Sequence, residues 1–426
     1  MKFKISLNEN IKSFFNDSII YGLVGIINKA IPFLLLPVLI RWIDKEQYGM
    51  YSLFVTAENF IFPILSLNLY SALSKHYYLK INLSKYISTI FFVSFIILIV
   101  SLLIIFFIPS SLFNYSGFTK STFVFIVINS SILGIFNLQK TTFRLQRKPY
   151  KFGVYVISFS LILVNCLLVF GYLWRNAEML IIARVTSYIV MFLISIFMLK
   201  KAKLIDLSFN FYMLKRIIKF SAPTIIFSLS ALIFSSSDRF FIQYFLGLES
   251  VGTYVAIFQL SSIFTMLAVS LNSAWIPWLF ENLNKNNNLI NTQIVRLTYF
   301  LTFSSILIGF LFIILFPLIS SMILTADYFS DIYIATPLII GFVFQGFYFL
   351  YSPYIFYTEN TMSNGLMGLI TAAVNIILNI ILIPKYGIIG AAYSSMFSWI
   401  ILTVMAIYLS NKFYKMPWLS TYKLKL

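Results

Sequence analysis

The chain has 426 residues, of which 60% are hydrophobic, 19% aromatic and only 10% charged, with a mean hydropathy of +0.91. That balance excludes a water-soluble globular domain, a disordered chain and a coiled coil, because soluble domains run to about a quarter charged. The net charge of +18 comes mostly from Lys and Arg in short connections between apolar runs, a pattern that speaks for a membrane topology and against nucleic acid.

A helix that spans a bilayer needs about 20 mostly apolar residues. Twelve such runs follow one another, over 17–41, 49–72, 86–109, 121–143, 151–174, 178–199, 216–245, 251–276, 296–317, 332–357, 363–383 and 387–410. No connection between them exceeds twenty residues, which leaves no room for a soluble domain. The first run is too long for a signal-peptide core and lacks a small-residue cleavage site, so it is expected to be an uncleaved span. With the N-terminus in the cytoplasm, only Arg41, Lys45, Lys120, Arg175, Arg239 and Lys385 fall outside, against 23 Lys and Arg inside. The positive-inside rule therefore predicts a multi-pass inner-membrane protein with both termini cytoplasmic.

Within the first run Lys29 stands beside Asn28 and one turn before Pro32, with Pro37 following. An ionisable residue at membrane depth is a functional candidate, and Lys29 is expected to line a cavity unless it snorkels to the interface. Glu58 and Asn59 lie in the middle of the second run. A carboxylate there must be paired, for instance with Lys29, or protonated, and either state makes it a candidate for coupling to H⁺ or Na⁺. Arg144, Arg147, Lys148 and Lys151 set the topology after the fourth run, and their second use would be to gather anionic headgroups. Arg184 is a further cation in the sixth run, where snorkelling competes with lumen lining.

The basic stretch 201–215 divides the chain into a six-helix lobe over 1–200 and a second over 216–426. The two are related: EQYGMY (46–51) recurs as ESVGTY (249–254) at an offset of 203 residues. Six helices per half give both lobes the same orientation, the arrangement of a parallel duplication. The expected fold is all-α and polytopic, with twelve transmembrane helices in two pseudo-symmetric six-helix bundles around a central cleft. In the seventh run Ser221, Thr224, Ser228, Ala231, Ser235 and Asp238 share a small, polar helical face, and Arg239 follows. Such a stripe lines a pore or forms a close helix contact. Gln259, Gln345, Asn375 and Asn379 are further amides within spans, able to meet sugar hydroxyls or to pack. The single Cys166 and single His76 leave no internal disulfide and no Cys/His metal site. No HExxH, CxxC, G-x-S-x-G or P-loop pattern occurs, so neither an enzyme nor a cofactor is expected.

Three stretches resemble bacterial polysaccharide flippases of the O-antigen (Wzx-type) branch. SAPTIIFSLSALIFSSSDRFFIQYFLGLESVGTYVAIFQL (221–260) is similar to the family's seventh and eighth helices, with a proline near the start, the Asp-Arg pair and the G-x-Y motif. FRLQRKPYKFGVY (143–155) resembles its basic loop between helices four and five, and IPKYGIIGAAYSS (383–395) its turn into helix twelve. The resemblance implies a fold similar to multidrug exporters and to the flippase of the peptidoglycan precursor. It also implies an undecaprenyl-diphosphate-linked oligosaccharide as substrate, moved from the cytoplasmic to the periplasmic leaflet. Membrane lipids and other polysaccharide-assembly membrane proteins are the remaining partners. Lys29, Arg184 and Arg239 are the candidate cations for the diphosphate, Glu58 and Asp238 the candidate coupling acids. Asn28, Asn59, Gln259, Gln345, Asn375 and Asn379 are the candidate sugar contacts. A small-molecule exporter on the same fold is the main alternative. A membrane glycosyltransferase or polymerase would need a polar loop that the chain lacks.

Overall fold

In lipid every backbone polar group must be satisfied within its own segment, so apolar runs of this length have only the helix available to them. The computed structural model describes residues 2–77, 82–114, 117–206, 208–285 and 287–418, without the side chains of 2–19, 26, 29, 112, 114 and 361. Among the described residues every regular element is a helix. In chain order these are α1 (Lys2–Trp42), α2 (Lys45–Leu65), α3 (Leu69–His76), α4 (Leu83–Phe107) and the short α5 (Ser111–Asn114). They continue as α6 (Lys120–Leu145), α7 (Pro149–Trp174), α8 (Ala177–Lys201), α9 (Phe211–Ser236), α10 (Asp238–Leu246) and α11 (Leu248–Ser261). The last are α12 (Ile263–Leu283), α13 (Asn288–Ile323), a 3₁₀ segment (Ala326–Ile334), α14 (Ala335–Tyr357), α15 (Thr361–Tyr386) and α16 (Ile388–Phe413).

Eleven of these helical segments are long and apolar enough to cross a membrane, and the pair α2–α3, bent by 52°, makes a twelfth. Three of the expected runs are interrupted. The second bends where Leu67 and Asn68 take the left-handed conformation, at φ 46° and 47°. The seventh breaks at Ser237 between α9 and α10, and the eighth at Ser262 between α11 and α12. Helix starts follow local chemistry: the side chains of Asp44, Asn82, Thr119 and Asn176 each accept the backbone N–H three residues on, at 2.8–3.3 Å.

The chain divides into two compact units, 1–229 and 230–426. In the first, α6 is central, packing on α2, α3, α4, α7 and α8. One core cluster joins Phe136, Tyr155, Phe159 and Met191 from α6, α7 and α8, and another joins Leu73, Tyr86, Leu138 and Leu199. The stretch after α8 is fastened to the start of α4. The Asp206 amide donates to the Ser88 hydroxyl at 2.8 Å, and the Asn210 amide to the Thr89 hydroxyl at 3.3 Å. In the second unit α14 packs against α12, α13 and α16, around Trp275, Leu279, Leu350, Tyr354 and Leu402. Outward faces are apolar, as in Phe106, Phe107, Phe303 and Met322, all well exposed. Lipid, not water, is the solvent for such surfaces.

Candidate functional site

Among the described residues each unit buries one carboxylate at the centre of a polar network. In the first unit Glu58 of α2 is fully buried. Its two oxygens accept four hydrogen bonds: Arg184 Nε at 2.9 Å and Nη2 at 3.0 Å, Tyr188 hydroxyl at 2.8 Å and Asn129 Nδ2 at 3.1 Å. The Ser130 hydroxyl reaches the Glu58 backbone carbonyl at 3.2 Å. The Arg184 guanidinium also lies 5.3 Å from the centre of the Tyr188 ring, and buried Tyr51 lies against it. A two-point guanidinium–carboxylate pair with all carboxylate lone pairs in use can remain charged away from water.

In the second unit Asp238, 2% exposed, opens α10. It accepts the Tyr254 hydroxyl in a short hydrogen bond, the Arg239 backbone amide at 2.9 Å and the Ser395 hydroxyl at 3.4 Å. The half-buried Arg239 places its guanidinium 5.2 Å from the Phe258 ring centre. Nearby, Asn375 Oδ1 accepts from Ser237 at 3.2 Å and from Asn379 Nδ2 at 3.0 Å, and its amide donates to Ser398 at 3.1 Å.

The repeated motif belongs to both networks. α2 starts at Lys45 and α11 at Leu248, the same 203-residue offset that relates EQYGMY to ESVGTY. Gly49 and Gly252 therefore sit inside helices and form no chain reversal. Tyr51 and Tyr254 are 8% and 0% exposed, so neither is an interfacial anchor. One faces the Arg184–Glu58 pair and the other bonds to Asp238. The reversal before the second copy is made by Gly247, at φ 87°, where a side chain would be strained.

The predicted site residues are thus sorted by environment. Glu58 takes Arg184 as its cation, a pairing that spacing alone did not reveal. Lys29 lies on α1, and its side chain is outside the described residues. Asn28 is exposed and accepts the Ser160 hydroxyl at 2.8 Å, and Asn59 is exposed on α2. Gln345 accepts the Thr265 hydroxyl at 2.7 Å, and Gln259 is half-buried. Asn375 and Asn379 are 1% and 0% exposed and knit α15 to its neighbours. Tyr188 and Asn129 were not singled out from the sequence, and Tyr254 was marked only as part of the repeated motif, not as a site residue. The motif offset marks Tyr254, but Tyr188 and Asn129 carry no local signal. Among the described residues no cluster of His, Cys, Asp and Glu could hold a metal ion.

The fold and sequence have relatives. The chain is similar to a multidrug-resistance MATE transporter of the MOP superfamily in an inward-facing conformation. That match has a TM-score of 0.73 and 12% identity, over 90% of this chain and 94% of the other. It is equally similar to the lipid II flippase MurJ in an inward closed conformation, with a TM-score of 0.73 and 16% identity, covering 92% and 87%. In sequence it is 27% identical over 296 residues to Lsg locus putative protein 1 of Haemophilus influenzae, covering 67% of this chain and 70% of that protein. The profile of the family described as "Polysaccharide biosynthesis protein" matches residues 14–283, well over half of the chain. This multi-span membrane protein, with the fold of MOP-superfamily transporters, belongs to the polysaccharide biosynthesis protein family.

Proposed function

We propose that the protein is a flippase that moves an undecaprenyl-diphosphate-linked oligosaccharide from the cytoplasmic to the periplasmic leaflet of the inner membrane. The observation that carries this reading is the family match over 14–283 in a chain whose fold is similar to a lipid II flippase. The physical task is to take a diphosphate and several sugars across about 30 Å of hydrocarbon, where an unpaired charge costs several kcal/mol or more. In this proposal Lys29 and Arg239 neutralise the diphosphate, and the exposed amides of Asn28 and Asn59 meet sugar hydroxyls. Arg184, engaged by Glu58, acts by holding its helix in place. The protein works by alternating access, without covalent chemistry, and both termini are cytoplasmic.

If an ion drives the cycle, Asp238 is the better of the two acids. Its partners include the Tyr254 and Ser395 hydroxyls, which donate to the carboxylate and can rotate to accept from the protonated acid. Glu58 is held by a guanidinium in two-point contact. An exporter of cationic small molecules has the same fold but wants free acids, and both buried acids here are engaged.

Removal of the protein from a strain that makes the polysaccharide tests the reading. Surface polysaccharide should disappear while lipid-linked repeat units accumulate in the cytoplasmic leaflet; unchanged surface polysaccharide would refute it. Returned as Lys29→Ala the protein should insert normally but fail to restore export, whereas Lys29→Arg should restore part, since charge is kept and shape is not. Full export by well-expressed Lys29→Ala would remove this residue from the site.

A further inference from the structure

The first unit contains a cavity of about 720 Å³ at the ends of α6, α7 and α8 that the proposed transport cycle does not use. Its lining falls wholly within residues 139–204. Three exposed lysines, Lys148, Lys151 and Lys201, stand on its lining, and no carboxylate is among the lining residues. Lys148 Nζ donates to the neutral Gln146 Oε1 at 2.8 Å, so its charge is not compensated by that contact. Apolar side chains make much of the wall. Val154 and Phe197 are 67% and 66% exposed, and Tyr150 is 77% exposed, which opens the cavity onto the face that lipid covers. At the opposite extreme Gln139 is 2% exposed, lines the cavity, and its Oε1 has no hydrogen-bond partner among the described residues.

An orphaned acceptor this deep calls for a donor from an occupant. Lysines at the leaflet boundary call for a phosphate, and an exposed apolar flank calls for a hydrocarbon chain. Basic pockets between transmembrane helices bind anionic headgroups for these reasons. We infer that this cavity is a binding site for an anionic phospholipid with a hydroxyl-bearing headgroup, of the phosphatidylglycerol class. The phosphate meets Lys148, Lys151 and Lys201, a headgroup hydroxyl donates to Gln139 Oε1, and the acyl chains run over Val154 and Phe197. A resident lipid fits a cavity built by three packed helices of one unit better than a cargo that must cross the membrane. The inference stands apart from the proposed substrate.

The test is lipid titration of the purified full-length protein, read by native mass spectrometry, with phosphatidylglycerol, phosphatidic acid and phosphatidylcholine as probes. Phosphatidylglycerol should bind the unaltered protein at least tenfold more tightly than phosphatidylcholine. The triple variant Lys148→Gln, Lys151→Gln, Lys201→Gln changes only exposed side chains and should lose that preference while keeping its melting temperature. Gln139→Met, similar in volume, should weaken phosphatidylglycerol several-fold and leave phosphatidic acid, which lacks the headgroup hydroxyls, unchanged. Should Gln139→Met fail to fold, the triple variant decides the lysine contacts alone. Equal binding of phosphatidylglycerol and phosphatidylcholine, or a triple variant that retains the preference, would overturn the site. Displacement of phosphatidylglycerol by equimolar undecaprenyl diphosphate would assign the cavity to the substrate and overturn the phospholipid.

Discussion

Glu58 has no access to solvent, and four donors from α6 and α8 converge on its two oxygens. Such a pair contributes little net stability relative to apolar packing, but half of it is costly, because the remaining charge is stranded. Arg184→Ala or Glu58→Ala should each lower unfolding free energy by about 3–5 kcal/mol, visible as a lower melting temperature and poorer membrane yield. The double variant should recover most of that loss. Single effects that simply add in the double variant would contradict the pairing. Tyr188→Phe should cost less, about 1–3 kcal/mol, since it removes one donor and leaves the guanidinium in place. The acid, Arg184 and Asp238 were recognisable in the sequence because charge inside an apolar run is conspicuous. The pairing of Glu58 with Arg184 was not, because the two lie 126 residues apart and only packing brings α8 to α2. Asn129 and Tyr188 were equally hidden, being ordinary polar residues on amphipathic spans.

At the scale of elements, hydropathy is a local property, so the apolar runs matched helices closely: 86–109 became Leu83–Phe107, and 178–199 became Ala177–Lys201. The breaks were not legible in the same way. Pro63 stands three residues before the bend at Ser66–Asn68, but no Pro or Gly lies within four residues of Ser237 or Ser262, where tertiary packing decides where α9 and α11 end. The join of α15 to α16 is the opposite case, marked by glycines in IPKYGIIGAAYSS. A Cβ on Gly390 would come within 2.3 Å of the Leu382 carbonyl oxygen. Backbone cannot yield as a flexible side chain would, so Gly390→Ala should force the two helices apart at a cost of about 1–3 kcal/mol. Gly368→Ala on α15, with nothing within 4 Å of its Cβ, should be tolerated. Melting temperatures of the two variants, measured side by side, check this; equal behaviour would count against the close approach.

For the whole molecule, the composition alone indicated a polytopic helical protein, and the eleven or twelve crossing helices agree with it. The 203-residue offset of the motif also survives as matching helix starts, and its tyrosines are buried, Tyr51 against Arg184 and Tyr254 against Asp238. Orientation rests on the distribution of Lys and Arg. Reporter fusions after Lys203 and Lys285 should therefore read cytoplasmic, and those near Lys120 and Asp327 periplasmic; a periplasmic reading at Lys203 would invert the account. The central claim is movement of a lipid-linked oligosaccharide between leaflets. It is tested most directly by reconstituting the purified protein into vesicles that carry an undecaprenyl-diphosphate-linked repeat unit in both leaflets, then adding a membrane-impermeant enzyme that modifies its sugars. With the protein present nearly all of the repeat unit should become modified, while protein-free vesicles should stop at the outer half. A plateau at half in both preparations would contradict the proposal.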